Sequence, residues 1–290
     1  MKRIVPLLVA TFLLLGLACA RKAEAPKYDE KAEIMQWRQN RLTRLKSDDG
    51  WLTLVGLQWL NEGENKIQNP ANGGSVVLQK GVATLMPNAS LTIDGKPVTA
   101  PTPLRDDTDP KGPTIVSSGT THFHVIKRDP KFALRVKDTS SPARTHFLGL
   151  DYFPVAPQWR LEAHFEPFNP PHHVTITNVL GMTSDEIAPG LLTFTVNGKE
   201  YKLEPILEQG ETDYFIIFKD ATSGKETYAA ARYVYAHPPD KNGMTVIDFN
   251  KAYNPPCAFT PFATCPLPPA QNRLPFRIDA GELKYRGGHA

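Results

Sequence analysis

The sequence predicts an all-β protein: two β-rich, sandwich-like domains preceded by a signal peptide and one amphipathic helix. Three observations predict it. Proline makes up 27 of 290 residues, about 9% against an average near 5%, and proline breaks helix interiors and central strands. After Gly50 the apolar residues fall into short runs separated by Gly, Asn, Asp and Pro, which is the spacing of sandwich strands. Helical spacing is confined to the segment before Gly50. With 41% hydrophobic and 22% charged residues, the chain has the composition of a folded globular protein, which excludes wholesale disorder.

Residues 1–18 read as a signal peptide. Lys2 and Arg3 form a charged start, and Ile4 to Leu17 form an apolar stretch shorter than the roughly 20 residues a membrane-spanning helix needs. The end, Leu17-Ala18-Cys19, resembles a bacterial lipobox, in which the cysteine is acylated and becomes the new N-terminus. Gly16 stands where that pattern prefers leucine, and ordinary cleavage after Ala20 is the alternative. Lipidation at Cys19 implies a protein anchored in the cell envelope through lipid; with Ala20 following, the resemblance points, in a Gram-negative host, to the outer membrane, facing the periplasm. Cleavage without lipid implies a soluble periplasmic or secreted protein. Residues 19–27, charged and proline-containing, read as a tether. The formal charge of +3 falls to +1 once Lys2 and Arg3 leave. So neutral a surface argues against a nucleic-acid partner, because phosphate binding needs a basic field.

Residues 28–49 read as the helix. Ile34, Trp37, Arg41, Leu42 and Leu45 fall near a helical period, and Gly50 can end it. Residues 50–130 read as the first sandwich, with strands at 51–55, 75–78, 82–86, 90–93, 114–117 and 121–127. Asp94-Gly95 is a hairpin turn signal. Residues 131–290 read as the second β domain, with strands at 132–137, 160–165, 174–178, 191–196, 201–203 and 214–219. Asn197-Gly198 marks another hairpin.

Two further strands, 227–235 and 245–250, read as a hairpin. Alternation puts Arg232 on one face with Tyr228, Ala230 and Val234. It puts Val246, Asp248 and Asn250 on one face of the return strand, and Ile247 and Phe249 on the other. If the strands pair, Arg232 lies opposite or diagonal to Asp248, as a structural ion pair or as one wall of a polar pocket. Seven prolines between Asn250 and Arg277 exclude a helix there and predict a fixed, extended loop over the sheet. Asn250, Tyr253, Asn254 and Asn272 supply polar groups within it, to hold backbone turns or a ligand. Cys257 and Cys265, in an exported chain, read as a disulfide.

The run DFNKAYNPPCAFTPFATCPLPPAQNRLP, Asp248 to Pro275, resembles the hallmark of the bacterial and archaeal domain-of-unknown-function family numbered 1684. TSGKETYAAARYVY, LRVKD, the segment from Arg144 to Phe153 and the early WLTLVGLQWLNEGENKI resemble it too. The glycine before the arginine of that family's GR pair is Ala231 here. The resemblance implies no activity. Separately, WLNEGENKIQNPANGGSVVL with LTIDGKPV and HFHVI resembles a forkhead-associated sandwich. No arginine matches that family's phosphothreonine-reading residue near Lys66 and Gln68, so only the scaffold is implied.

Other candidates carry less. His122 and His124 share a strand face and could make half of a metal site. No convincing third ligand accompanies them, so no metal is assigned. Neither Ser184 nor Ser223 has the surroundings of a nucleophile, and no phosphate-cradling glycine loop is present. No cofactor is expected, and the catalytic residues are unknown. Arg135, Asp138 and Arg144 read as a domain-joining charge cluster. The function expected is a cell-envelope lipoprotein that binds a small-molecule or envelope ligand, with a polar pocket at Arg232, Asp248 and Asn250. The alternatives are an extracytoplasmic hydrolase using Asp248 with Arg232, and a purely structural envelope protein.

Overall fold

The structure, a computed structural model, describes residues 29–287 apart from 89 and 129. The signal peptide and Cys19 lie outside the described residues. Asp29 opens helix α1 (Glu30–Lys46): its side chain accepts the Ala32 N–H at 3.0 Å, satisfying one free donor of the first turn. Glu30 and Glu33 sit in the first turn and Arg44 and Lys46 in the last, each with the sign that the helix dipole favours. Ile34, Arg41 and Leu45 form the buried stripe. Gly50 stands where the chain folds back on the helix end, so closely that a Cβ there would lie 2.2 Å from the Leu45 carbonyl oxygen.

The expected strand at 51–55 begins late. Trp51–Thr53 forms a 3-10 turn, and β1 (Leu54–Leu60) follows. The first unit continues with β2 (Gly63–Lys66), β3 (Ser75–Gln79), β4 (Val82–Met86), β5 (Thr92–Ile93), β6 (Lys96–Pro97), β7 (Thr102–Leu104), β8 (Val116–Ser118), β9 (Thr121–Arg128) and β10 (Lys131–Asp138). Six strands form one sheet in the order β1-β10-β9-β8-β5-β6, and four form another in the order β2-β3-β4-β7. Val76, Leu78 and Leu85 from one sheet and Phe123, Val125, Leu134 and Val136 from the other share one buried core. The alternation that sends Phe123 and Val125 inward leaves His122 and His124 on the outer face, and Arg135 and Lys137 join them from β10.

A domain boundary at 130/131 does not hold. β10 pairs along its length with β9 and with β1, so the first unit runs to Asp138. Its inward residues Phe132, Leu134 and Val136 complete the first core, which a break at 131 would open.

The second unit contains β11 (Arg160–Thr177), β12 (Thr183–Val196), β13 (Lys199–Leu203), β14 (Tyr214–Phe218), β15 (Arg232–Ala236) and β16 (Met244–Asp248). Four strands pair in the order β13-β12-β11-β16, and β14 pairs with β15. The two strands expected at 160–165 and 174–178 are one long strand, irregular between Pro167 and His172. Leu192, Phe194, Ile216, Phe218, Val234, Ile247 and Phe249 build its main core. The chain beyond Asp248 forms three 3-10 turns, at Phe249–Lys251, Pro256–Ala258 and Ala270–Asn272, and among the described residues it holds no strand. Its proline-rich course lies between the two units: Ala258 and Phe259 pack on Leu45 and Leu52, and Thr260 donates to the Leu54 carbonyl at 3.0 Å.

Candidate functional site

Arg232 does not meet Asp248. β15 and β16 follow one another in sequence but belong to different sheets: β15 pairs with β14 and β16 with β11. Arg232, 1% exposed, turns instead to Asp220 at 3.2 Å; the Asp220 side chain is 0% exposed. The guanidinium also donates to the carbonyls of Ile278, at 3.1 Å, and Ala280, and lies 5.2 Å from the Phe218 ring. Asp220 accepts from Thr222 Oγ1 at 2.9 Å and from the Ile278 N–H at 2.8 Å. This pair clamps the C-terminal segment to the sheet; the Arg232 Nε, sealed from solvent, has no hydrogen-bond partner among the described residues.

The asparagines are committed in the same way. Asn250 brackets Ala156, accepting its N–H at 2.9 Å and donating to its carbonyl at 3.0 Å. Asn272 accepts the Glu204 N–H at 2.7 Å and donates to the Glu204 and Ile217 carbonyls. Asn254 donates to the Leu283 carbonyl at 2.7 Å. Its backbone completes a second buried pair: Arg41 donates to Glu282 at 3.0 Å and to the Asn254 carbonyl at 2.9 Å, while the Asn254 N–H donates to Glu282 at 2.8 Å. All three amides are buried and serve as backbone pins in a loop whose prolines leave carbonyls without N–H partners. As ligand-binding residues, Arg232, Asn250, Asn254 and Asn272 are therefore corrected to structural ones.

Cys257 and Cys265 are buried free thiols in this structure, not the expected disulfide. The Cys257 N–H donates to Cys265 Sγ at 3.0 Å, and burial pushes the Cys265 thiol up. The loop brings the two residues together with the bond open.

Asp248 and Tyr253 do face a common space. Asp248 and Val246 sit on the face of β16 opposite Ile247, which enters the core, and Arg160 is the cross-strand partner of Asp248. Helix α1 covers this face and leaves a cavity of about 690 Å³. Trp37, Trp51, Tyr235 and Tyr253 line it with rings; Arg41, Arg44, Arg160 and Lys251 bring positive charge, and Glu33, Asp49, Asp213 and Asp248 negative charge. Tyr253 lies nearly parallel to Tyr235, with centroids 6.4 Å apart, and carries the Arg41 guanidinium 4.7 Å from its ring. Burial pushes the Tyr253 hydroxyl up to about 12. Burial also raises the Asp248 carboxyl above its ordinary range, against the Asn250 hydrogen bond and the Lys251 charge. Its Oδ1 accepts the Asn250 N–H at 3.0 Å. Its Oδ2, 3.8 Å from Lys251 Nζ, has no hydrogen-bond partner among the described residues. Lys251 also pairs with Glu33 of α1.

Sequence reasoning missed α1 as a wall of this site, and it missed Asp220 and Glu282. Trp37 and Arg41 were visible as helix-face residues, and a tryptophan and an arginine on a core-facing stripe are a signal that could have found them. His122 and His124 share a face as their spacing predicts; among the described residues no three His, Cys, Asp or Glu side chains gather to hold a metal.

No curated protein matches the chain. A solved structure similar to it is the solution NMR structure of an uncharacterized protein of Haloarcula marismortui, 29% identical, covering 48% of this chain and 78% of that one, with a TM-score of 0.41. A family model matches residues 145–283. The match begins just past the first sandwich and contains Arg232, Asp248 and the whole proline-rich loop; residues 51–67 and 134–138 lie outside it. That stretch, residues 145–283, is similar to the family described as Protein of unknown function (DUF1684).

Proposed function

We propose that the protein is an exported, lipid-anchored module of the cell envelope that binds a small polar ligand between α1 and β16. One observation carries this reading: four aromatic rings and charges of both signs converge on a cavity of about 690 Å³, where a buried Asp248 oxygen lacks a hydrogen bond. Small-ligand sites have volumes of roughly 300–1,000 Å³ and combine apolar walls with a few polar groups that fix orientation. Rings stack on the flat faces of a ligand, and the charges read its polar edge. Of the residues expected to bind, Asp248 and Tyr253 remain. The others hold the loop that carries Tyr253.

The apolar run ending in Leu17-Ala18-Cys19 supports the lipid anchor. Nine residues lie between Cys19 and Asp29, and the ten residue steps of an extended chain span at most about 35 Å, which keeps the α1 wall of the cavity near the membrane. In an oxidising compartment Cys257 and Cys265 close to a disulfide. The hydrolase alternative keeps a carboxyl with a raised pKa, the state a general base needs, but loses Arg232 as its partner.

Filling the cavity tests the reading. Val246→Phe adds a ring from the β16 face without removing a hydrogen bond. Protein purified from its own envelope carries a bound small molecule in native mass spectrometry, and Val246→Phe loses it while staying folded. The same bound mass in both proteins, or none in the wild type, defeats the reading.

A further inference from the structure

The outer face of the first sandwich holds a charge without a counter-charge. Arg135 on β10 and His124 on β9 are cross-strand partners, so their side chains stand together on one face of the sheet. Both are buried, at 8% and 7% exposure. Arg135 makes no hydrogen bond and no ion pair among the described residues; its Nε is sealed from solvent, and the Trp51 ring lies 5.3 Å from its guanidinium carbon. His124 Nδ1 is likewise buried without a partner.

The acids nearby are already engaged. Asp49 pairs with Lys137 and lies 3.7 Å from His122. Asp107 holds Arg128 at 2.8 Å and accepts the Lys127 N–H at 2.8 Å. Arg128, Arg135 and Lys137 therefore face two carboxylates, and Arg135 is the cation left over. A buried charge without a partner is strongly unfavourable, and buried polar groups in folded proteins are otherwise completed by protein, water or a ligand. The expected salt bridge joining Arg135, Asp138 and Arg144 does not form: Arg144 pairs with Asp48, and Asp138 accepts from Ser140.

We infer that Arg135 and His124 form a binding site for a small oxyanion, a phosphate or carboxylate group held by the guanidinium fork and the imidazole. The planar fork fits two oxygens of such a group. Lys137, bound to Asp49, adds positive field beside it. Burial and the neighbouring Arg135 and Lys137 charges push His124 down to about 4; a negative ligand would offset the part due to those charges. The site is distinct from the Asp248 cavity, and Trp51 is the residue that touches both.

The test follows the unfolding midpoint of the full chain during titration with sodium phosphate, sodium acetate and sodium chloride at matched ionic strength. A saturable rise with phosphate or acetate over chloride is expected, and the anion that gives it identifies the group. The rise disappears in Arg135→Gln, weakens in His124→Gln and persists in Arg105→Gln, whose side chain is exposed. If Arg135→Gln does not fold, Arg135→Lys replaces it: that variant keeps the charge, loses the fork and binds at least about tenfold more weakly. The inference is overturned if the wild type shows no rise over chloride, as when water alone completes the site. It is equally overturned if the Arg135 variant responds as the wild type does.

Discussion

Replacing Arg232 by methionine keeps a long side chain in place and removes only the charge and its donors. The site has no access to water: Arg232 is 1% exposed, and the Asp220 side chain 0%. The change leaves a buried carboxylate without its cation, which typically costs roughly 3–5 kcal/mol. It also strands the Ile278 and Ala280 carbonyls, each a buried acceptor worth about 1–3 kcal/mol if unmet. Four neutral donors remain on Asp220, the Thr222 N–H and Oγ1, Ser223 Oγ and the Ile278 N–H, and these soften the loss. The expected destabilisation is about 4 kcal/mol, a large part of a typical 5–15 kcal/mol. Urea unfolding measures it as a lower midpoint at constant m-value. A double-mutant cycle with Asp220→Asn should return a coupling of about 2 kcal/mol, whereas a cycle with Asp248→Asn should be additive within about 0.5 kcal/mol. A cost below about 1 kcal/mol for Arg232→Met, or strong coupling to Asp248, refutes the assignment of this pair.

Three further outcomes are expected. His124 titrates near 6.5 in an unfolded chain and is pushed down to about 4 by burial and by Arg135 and Lys137, with Asp107 and Asp49 opposing. As pH falls from about 6.5 to 4 the unfolded state takes up the proton first, so stability is lost across that window, by up to about 3 kcal/mol; His124→Gln should flatten this part of the stability–pH curve. In protein taken from an oxidising compartment, thiol labelling without reductant should find neither Cys257 nor Cys265, and closing that short loop should add about 2.5 kcal/mol; two reactive thiols would contradict it. Cys19→Ala should release the protein from membranes, and an unmodified chain starting at Arg21 by intact mass would defeat the lipid anchor.

Local patterns were legible, and partnerships were not. The turns at Asp94-Gly95 and Asn197-Gly198 could be read because the backbone there must enter positive φ, with values of 51° and 72°, and 51° and 74°, which few residues tolerate. Alternation separated Val246 and Asp248 from Ile247 and Phe249, as period two requires. Alternation is silent on which strand lies next door. Arg232 and Asp248 sit on consecutive strands, yet those strands joined different sheets, and the partner of Arg232 came from the turn at Asp220. Glu282 lies in a C-terminal segment without periodicity, so nothing local announced its pairing with Arg41. Arg135 looked like half of a salt bridge because sequence lists charges without their distances.

Ligand binding turns on the cavity between α1 and β16, and the most direct measurement is a crystal structure of the protein isolated from its own envelope without ligand exchange. The expected result is a bound molecule against Trp37, Tyr253 and Lys251, with a hydrogen-bond donor on Asp248 Oδ2. A cavity filled by water alone, or a bound molecule elsewhere with Asp248 untouched, would contradict it.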